Sequence, residues 1–237
     1  MEVKNLHSWK VSPQKAREIQ EKLRNKVVLK SSLKSVSEIR SIAGCDVAYD
    51  ENKKRAYGSV VLLTFPELEL VEKKGAMESS EGMFPYLPGL LTFREGPFLI
   101  AALKKLERSP NIIIFDGQGI AHPLRFGLAT HMGLLLGLPT IGCAKSILYG
   151  HCEEPVNLKG AYAFLKDEGG ELMGAALRTR KNVKPVFVSQ GYRIDLDQAL
   201  DVILTCCKRE RIPQPLRLAH LETMQALKKS LPGPGWQ

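Results

Sequence analysis

Cysteine is scarce in this chain, with five residues in 237, and no two of them form a Cys-x-x-Cys pair. An odd number of cysteines without such a pair argues against both a disulfide framework and a thiolate zinc site. The sequence also lacks any uncharged apolar run of about 18 residues, and its first residues lack the apolar segment of a signal peptide. We therefore expect a soluble, cytoplasmic protein that does not contact a membrane.

Acidic side chains are fewer than basic ones. The chain has 34 lysines and arginines but only 25 aspartates and glutamates, which gives a net charge of +9. Residues 1–40 carry ten basic and four acidic side chains, residues 41–200 carry eighteen of each, and residues 201–237 carry six and three. A basic surface favours a polyanionic partner such as a nucleic acid. We expect the two basic ends of the chain to contact backbone phosphates.

No proline-rich linker, internal repeat or low-complexity segment divides the sequence. With 44% hydrophobic residues, the chain is long enough to bury one substantial core. We predict a single domain over residues 1–237, in which residues 1–40 form a basic, helical N-terminal extension and residues 231–237 form a disordered tail. We expect a monomer without a protein partner.

The hydrophobic pattern predicts a mixed α/β sheet flanked by helices. Ser12 followed by Pro13 is typical of a helix start, and apolar residues at helical spacing follow. Three β-rich runs then predict an antiparallel meander. From about Leu90 helices alternate with apolar strands, which indicates parallel βαβ units, before two more strands and a helical region. The predicted strands cover residues 41–51, 55–66, 67–74, 111–116, 139–145, 171–179 and 185–194.

Two aspartates lie in or at the end of apolar strands. Asp116 ends the run from Ile112 to Phe115 and begins an Asp-Gly-Gln-Gly segment. Open α/β sheets place their ligand sites at such strand ends, although Asp-Gly is also an ordinary turn signal. Asp46 lies in the most apolar part of the first strand, where an unpaired carboxylate is costly to bury. It either binds a cation or points to the solvated face of the strand.

Further candidate residues surround the Asp116 strand. Glu95 lies early in the preceding helix, and Lys145 ends the next strand along the chain. A divalent-metal nuclease needs hard oxygen ligands from separate elements, which Asp46, Glu95 and Asp116 could supply. Lys145 could bind a phosphate or orient a water, although a solvated lysine at a strand end is more common. His122 could contact a phosphate or a metal, but a loop histidine more often does neither.

The segment PYLPG, residues 85–89, places Tyr86 and Leu87 between two prolines. The prolines stiffen the backbone, so we expect both apolar side chains to point outward. Such side chains can enter a base stack, and insertion is easiest at a damaged or mispaired base. The alternative is an ordinary rigid loop whose tyrosine packs on the core.

Four ordered blocks of the sequence together resemble the endonuclease V family of deoxyinosine-directed nucleases. They are GCDVAY, PYLPGLLTFRE, the segment from IIIFDGQG to CAKS, and RIPQPLRLAH, between about Ile42 and His220. The resemblance implies a ribonuclease H-like fold and dependence on Mg²⁺, with Mn²⁺ as a substitute. It also implies a role in DNA repair: hydrolysis of the second phosphodiester bond 3′ to deoxyinosine in double- or single-stranded DNA, with the base left in place.

The resemblance assigns roles to individual residues. Asp46, Glu95 and Asp116 match the acidic residues that bind the metal, and Lys145 matches the catalytic-site lysine. His122 and His220 match histidines near the active site in some members. The implied DNA-binding wedge, with Tyr86 as the wedge tyrosine, consists of Pro85, Tyr86, Leu87, Pro88 and Gly89. The implied pocket for the flipped base consists of Gly89, Leu91, Gly117, Gly119, Gly127 and Ala144.

Departures from the family pattern are small. Gln118 and Cys143 stand where the family commonly has histidine and valine, which leaves the acidic residues and both glycines in place.

Three other functions stay open. One alternative is an endoribonuclease that acts on inosine in RNA and accommodates the 2′-hydroxyl. A non-catalytic nucleic-acid-binding module is expected to lack an acidic ligand. A small-molecule α/β enzyme leaves PYLPG and the basic ends unexplained.

Overall fold

One eight-stranded mixed sheet forms the centre of the protein. The computed structural model describes residues 1–230, and the tail predicted at 231–237 lies outside them. The strands are β1 (Ser41–Asp50), β2 (Arg55–Thr64), β3 (Leu70–Ser79), β4 (Ile112–Phe115), β5 (Thr140–Ala144), β6 (Tyr162–Lys166), β7 (Leu172–Leu177) and β8 (Val186–Tyr192). Their order across the sheet is β3-β2-β1-β4-β5-β8-β7-β6.

Five helices accompany the sheet in the described part of the chain. Residues 1–40 are helical only at Pro13–Arg24, the first of these helices, and in a short 3-10 turn at Val36–Glu38. Among residues 1–230, no helix combines the length and apolar character that crossing a membrane requires. The helices are α1 (Pro13–Arg24), α2 (Leu91–Leu103), α3 (Leu128–Leu136), α4 (Leu196–Cys206) and α5 (Gln214–Ser230).

The sheet confirms the predicted arrangement of three antiparallel strands followed by parallel strands. β1, β2 and β3 form the meander. β4 pairs in parallel with β1, and β5 pairs in parallel with β4. Beyond β5 the sheet becomes antiparallel again through β8, β7 and β6. The sequence does not predict β6, because in this edge strand only Leu165 is fully buried while Tyr162 and Phe164 are exposed. β3 begins later than predicted because a turn occupies residues 65–67.

Helices cover both faces of the sheet, as the side chains of β4 show. Ile112 and Ile114 belong to the core beneath α4 and α5, whereas Ile113 and Phe115 belong to the core beneath α2 and α3. Successive side chains of a strand point to opposite faces, so a strand covered on both sides reads as a continuous apolar run. This explains why the segment that ends at Asp116 is entirely apolar.

The N-terminal helix α1 begins as the sequence predicts. The Ser12 side chain accepts a hydrogen bond from the amide of Lys15, and Pro13 occupies the first turn. The opposite end carries Lys22 and Arg24 in its last turn. The helix packs onto the rest of the protein through its buried residues Ala16, Gln20 and Leu23.

Candidate active site

Three predicted carboxylates lie together at one edge of the sheet. β1 and β4 pair in parallel with Cys45 opposite Phe115, so the residues that follow, Asp46 and Asp116, are neighbours. Glu95 reaches the same point from α2, and the three side chains line a common cavity of about 70 Å³. The fold thus brings together three oxygen-bearing side chains from three separate elements.

Asp46 is held in place by α5. Its Oδ2 accepts a hydrogen bond from the hydroxyl of Thr223 at 2.7 Å, and Nδ1 of His220 lies 3.1 Å from the same oxygen. His220 is among the predicted residues, but the buried Thr223 is not. The signal that could have identified it is its position three residues after His220, which places both side chains on one face of the helix.

Lys145 meets Asp116 at this edge because β4 and β5 run parallel. Nζ of Lys145 lies 2.5 Å from Oδ2 of Asp116, and the side chains are 55% and 30% exposed. Ion pairs with this degree of exposure contribute only about 0–1 kcal/mol to stability. Little free energy is therefore lost when the Lys145 ammonium leaves Asp116 and binds a phosphate oxygen.

Glu95 is the carboxylate that α2 contributes to the cluster. Burial, followed by the negative charges of Asp46 and Asp116, raises the pKa of Glu95 to about 8, while nearby Arg94 opposes the shift. The cluster therefore retains a proton near neutral pH when no cation neutralises it. A cation placed among the three carboxylates favours the ionised form of Glu95 and reverses this shift.

The donor chemistry of the cluster fits a hard divalent cation, because Asp46, Glu95 and Asp116 all offer carboxylate oxygens. Within residues 1–230, however, no three His, Cys, Asp or Glu side chains stand in an arrangement ready to enclose an ion. Oδ2 of Asp116 faces Lys145, and Oδ2 of Asp46 faces α5. One oxygen of each aspartate is therefore already engaged before a cation binds.

A larger pocket adjoins the carboxylates. Its volume is about 310 Å³, which lies at the lower end of the range of about 300–1,000 Å³ for small-ligand pockets. Asp116 lines both this pocket and the carboxylate cavity, so the two are contiguous. Most of the predicted base-pocket positions line it, namely Gly89, Leu91, Gly117, Gly127 and Ala144. The sequence did not point to Ser146, Ile147 and Leu148, which also line it.

Gly119, which was also predicted for the base pocket, lies elsewhere. Its amide donates a hydrogen bond to Oγ of Ser189 at 2.8 Å. A Cβ atom at Gly119 would lie 2.0 Å from the carbonyl oxygen of Gln190. Glycine is therefore needed here for the close approach of this loop to β8, and not to make room for a ligand.

His122 forms part of the pocket wall and lies apart from the carboxylates' hydrogen bonds. Its Nε2 lies 2.8 Å from the carbonyl oxygen of Gly89, and its Nδ1 accepts a hydrogen bond from the amide of Leu124 at 3.0 Å. Burial lowers the pKa of His122, and the hydrogen bond to Gly89 opposes this shift. Both ring nitrogens are thus occupied in holding the loop.

The segment 85–89 lies at the mouth of the pocket. Tyr86 lines the pocket and is 68% exposed, so the alternative of a tyrosine packed on the core is excluded. The expectation for Leu87 was wrong, because this side chain is half-buried against Phe84 and Phe93. Leu87 packs on the apolar surface beneath the segment, whereas the side chain of Tyr86 projects into solvent.

Comparison with known proteins supports the sequence resemblance. The family model described as endonuclease V matches residues 21–221. Endonuclease V of Methanothrix thermoacetophila is 45% identical over 225 residues, which cover 95% of this chain and 96% of the relative. The crystal structure of endonuclease V from Streptomyces avermitilis has a TM-score of 0.86 and 40% identity, and the match covers 97% of this chain and 99% of that chain.

A further crystal structure, of endonuclease V from Ciona intestinalis, is a complex with a 24mer DNA containing an inosine followed by a ribo-adenosine. Its TM-score is 0.78 at 28% identity, and the match covers 91% of this chain and 98% of that chain. The family model covers residues 21–221, and these relatives each match more than nine-tenths of the chain. The protein therefore belongs to the endonuclease V family of endonucleases.

Proposed function

We propose that this endonuclease repairs DNA by recognising deoxyinosine and hydrolysing the second phosphodiester bond on its 3′ side, with the base left in place. The observation that carries this proposal is that Asp116 lines both the carboxylate cavity and the glycine-lined pocket. A base held in the pocket lies beside the carboxylates, and the backbone that follows it can reach them. Recognition and hydrolysis then occur at adjacent but separate places, which accounts for a cut beyond the lesion.

The carboxylates of Asp46, Glu95 and Asp116 are the groups that hold Mg²⁺, or Mn²⁺ in its place. A bound divalent cation supplies a Lewis acid for the phosphate and lowers the pKa of a bound water. Glu95, whose pKa is raised to about 8, would have to be ionised to serve as a ligand. Thr223 keeps the Asp46 carboxylate oriented from α5. No side chain is required as a covalent nucleophile.

Lys145 binds the substrate phosphate in this proposal. Its ammonium lies at the carboxylate cluster and also lines the larger pocket, so it is adjacent to both parts of the site. More than half of its side chain is exposed, and a lysine ammonium can neutralise a phosphate as a point charge. A cation here offsets the repulsion between the phosphate and the three carboxylates.

Tyr86 and the pocket recognise the lesion. The base leaves the stack, and the exposed ring of Tyr86 fills the gap that remains. Little side-chain bulk at Gly117 leaves room for a purine beside Leu91 and Leu128, and the edge of the purine is read largely by main-chain groups. The Ciona relative that binds inosine-containing DNA supports this assignment.

The proposal is tested with four matched oligonucleotides, DNA and RNA, each with and without one inosine. Each is incubated with the protein and either Mg²⁺ or EDTA, and the cut is mapped at nucleotide resolution. We expect Mg²⁺-dependent incision of the inosine DNA at the second bond 3′ to the lesion. Incision of the inosine RNA alone would replace the proposal by an inosine-specific endoribonuclease, and binding without incision would indicate a non-catalytic module.

A further inference from the structure

Gln20, on the buried face of α1, contacts two separate segments that form the glycine-lined pocket. Its side chain is 1% exposed. Nε2 of Gln20 donates hydrogen bonds to the carbonyl oxygens of Gly89, at 2.8 Å, and Phe126, at 3.1 Å. A carbonyl oxygen only accepts hydrogen bonds, so the group that faces both partners has to be the amide NH₂. The hydrogen-bond partners thus fix the orientation of the carboxamide.

The carbonyl of Gly89 receives a second hydrogen bond from His122. Nδ1 of His122 accepts from the amide of Leu124, so the proton of the neutral ring is on Nε2, which lies 2.8 Å from the Gly89 oxygen. Gln20 and His122 together occupy both lone pairs of this carbonyl. The Gly89 peptide is therefore fixed between α1 and the loop that follows β4, and its oxygen is not free to accept from a base.

The two carbonyls that Gln20 joins belong to two separate segments that line the pocket or adjoin it. Gly89 ends the wedge segment 85–89, and Phe126 immediately precedes Gly127, which lines the pocket from the start of α3. Gly89 has a φ of +83°, a conformation that favours glycine. A backbone turn of this kind needs fixed partners to keep one geometry. The helix α1 supplies one of them through a single side chain.

We propose that Gln20 is a positioning residue that ties the backbone at Gly89 to the backbone at Phe126 and so fixes the wall of the base pocket and the position of the Tyr86 segment. The inference rests on the proposed recognition of deoxyinosine. A buried carboxamide is costly unless it is hydrogen-bonded, and an apolar residue would serve better if packing of α1 were its only role. A pocket that is held in one geometry before a base enters reduces the ordering that binding requires.

The test compares the wild type with Gln20→Met, which keeps an unbranched side chain of similar length but donates no hydrogen bond. We expect KM for an inosine-containing duplex to rise about tenfold, as two hydrogen bonds are lost, while kcat stays within about threefold. Affinity for the undamaged duplex stays unchanged, because it does not use the pocket. Hydrogen exchange of residues 85–91 becomes faster in the variant.

The matched control is Ser12→Ala, which removes the N-terminal cap of the same helix and touches neither carbonyl. It is expected to lower Tm without changing KM. If Gln20→Met lowers Tm but leaves KM and hydrogen exchange of residues 85–91 at wild-type values, Gln20 has only a structural role and the inference is wrong. Should Gln20→Met fold poorly, Gln20→Ala is measured in the same way.

Failure of the inference is distinguishable from failure of the proposed function. If the wild type does not incise inosine-containing duplexes, the proposed function itself fails. If the wild type incises them and both Gln20 variants retain its KM, only the positioning role of Gln20 fails.

Discussion

Nζ of Lys145 lies 2.5 Å from Oδ2 of Asp116, and the two side chains follow neighbouring parallel strands. Each side chain is therefore carried to the same edge of the sheet by an apolar strand that is buried on both faces. The pair joins the carboxylate cavity to the glycine-lined pocket, since Asp116 lines both and Lys145 lines the pocket. In the proposed function, catalysis and recognition meet at this contact.

Replacement of Lys145 by alanine should slow the reaction of the phosphate but strengthen the binding of the cation. We expect Lys145→Ala to lower kcat by about a hundredfold, because a preorganised positive charge near the phosphate is lost. Removal of a cation beside Asp116 should also lower the Mg²⁺ concentration needed for half-maximal rate. A Mg²⁺ titration of single-turnover incision measures both effects. An unchanged kcat would exclude Lys145 from the reaction, and Lys145→Arg is the matched charge-retaining control.

Replacement of Tyr86 by alanine should weaken lesion recognition without affecting the fold. Stacking of a base on an aromatic ring contributes about 1–3 kcal/mol, so affinity for inosine-containing DNA is expected to fall about ten- to hundredfold. Tm should stay at the wild-type value, because the side chain is 68% exposed. Fluorescence anisotropy with Tyr86→Phe as the control measures the affinity. Equal affinity of Tyr86→Ala and wild type for the lesion would remove Tyr86 from this role.

The raised pKa of Glu95 predicts a pH-dependent stability of the cation-free protein. Because the pKa is about 8 in the folded state and 4.5 as the ordinary value, the folded state binds more protons between these limits. Stability from this group is therefore present at low pH and lost as the pH rises through this window. In EDTA, Glu95→Gln should have a higher Tm than the wild type at pH 9, and the difference should shrink towards pH 5.

The control for this pH profile is Glu81→Gln, which changes a glutamate whose side chain is 72% exposed. It should leave the pH dependence of Tm at its wild-type form. A Tm difference between Glu95→Gln and wild type that stays constant from pH 5 to pH 9 would contradict the raised pKa of Glu95.

Thr223 should affect the reaction through Asp46. Thr223→Val removes the hydroxyl that donates to Oδ2 of Asp46, and hydrogen bonds to charged groups contribute about 1.5–3 kcal/mol. We expect kcat to fall about tenfold or more, while Thr223→Ser, which keeps the hydroxyl, stays near the wild-type rate. Steady-state incision assays measure both variants. Equal rates of the valine and serine variants would show that the hydrogen bond has no role in the reaction.

The sequence predicts part of the site from the order of its elements, because alternating helices and strands indicate parallel neighbours. Lys145 is placed beside Asp116 by this alternation, through β5. The position of Asp46 beside Asp116 does not follow from this alternation, since it depends on the pairing of β1 with β4. The stiff backbone between two prolines correctly predicts that Tyr86 is exposed, but it gives the wrong position for Leu87, which packs against Phe84 and Phe93.

Contacts between distant segments could not be predicted in this way. Gln20 reaches Gly89 across 69 positions of sequence, and Thr223 reaches Asp46 across 177. No local periodicity encodes such pairs, since they depend on how α1 and α5 pack on the sheet. For Gly119 the sequence predicted a place in the base pocket that the structure does not show. A glycine needed for close backbone packing looks the same in sequence as one that lines a pocket.

Single-turnover incision of a duplex with one deoxyinosine, by the wild type and by Asp116→Asn, tests the central claim most directly. The claim is that the carboxylates beside the pocket carry out metal-dependent hydrolysis. We predict that the wild type cuts at the second bond 3′ to the lesion in Mg²⁺ and not in EDTA, and that Asp116→Asn is slower by at least about a thousandfold with its circular dichroism unchanged. A folded Asp116→Asn protein that cuts at nearly the wild-type rate would contradict the account.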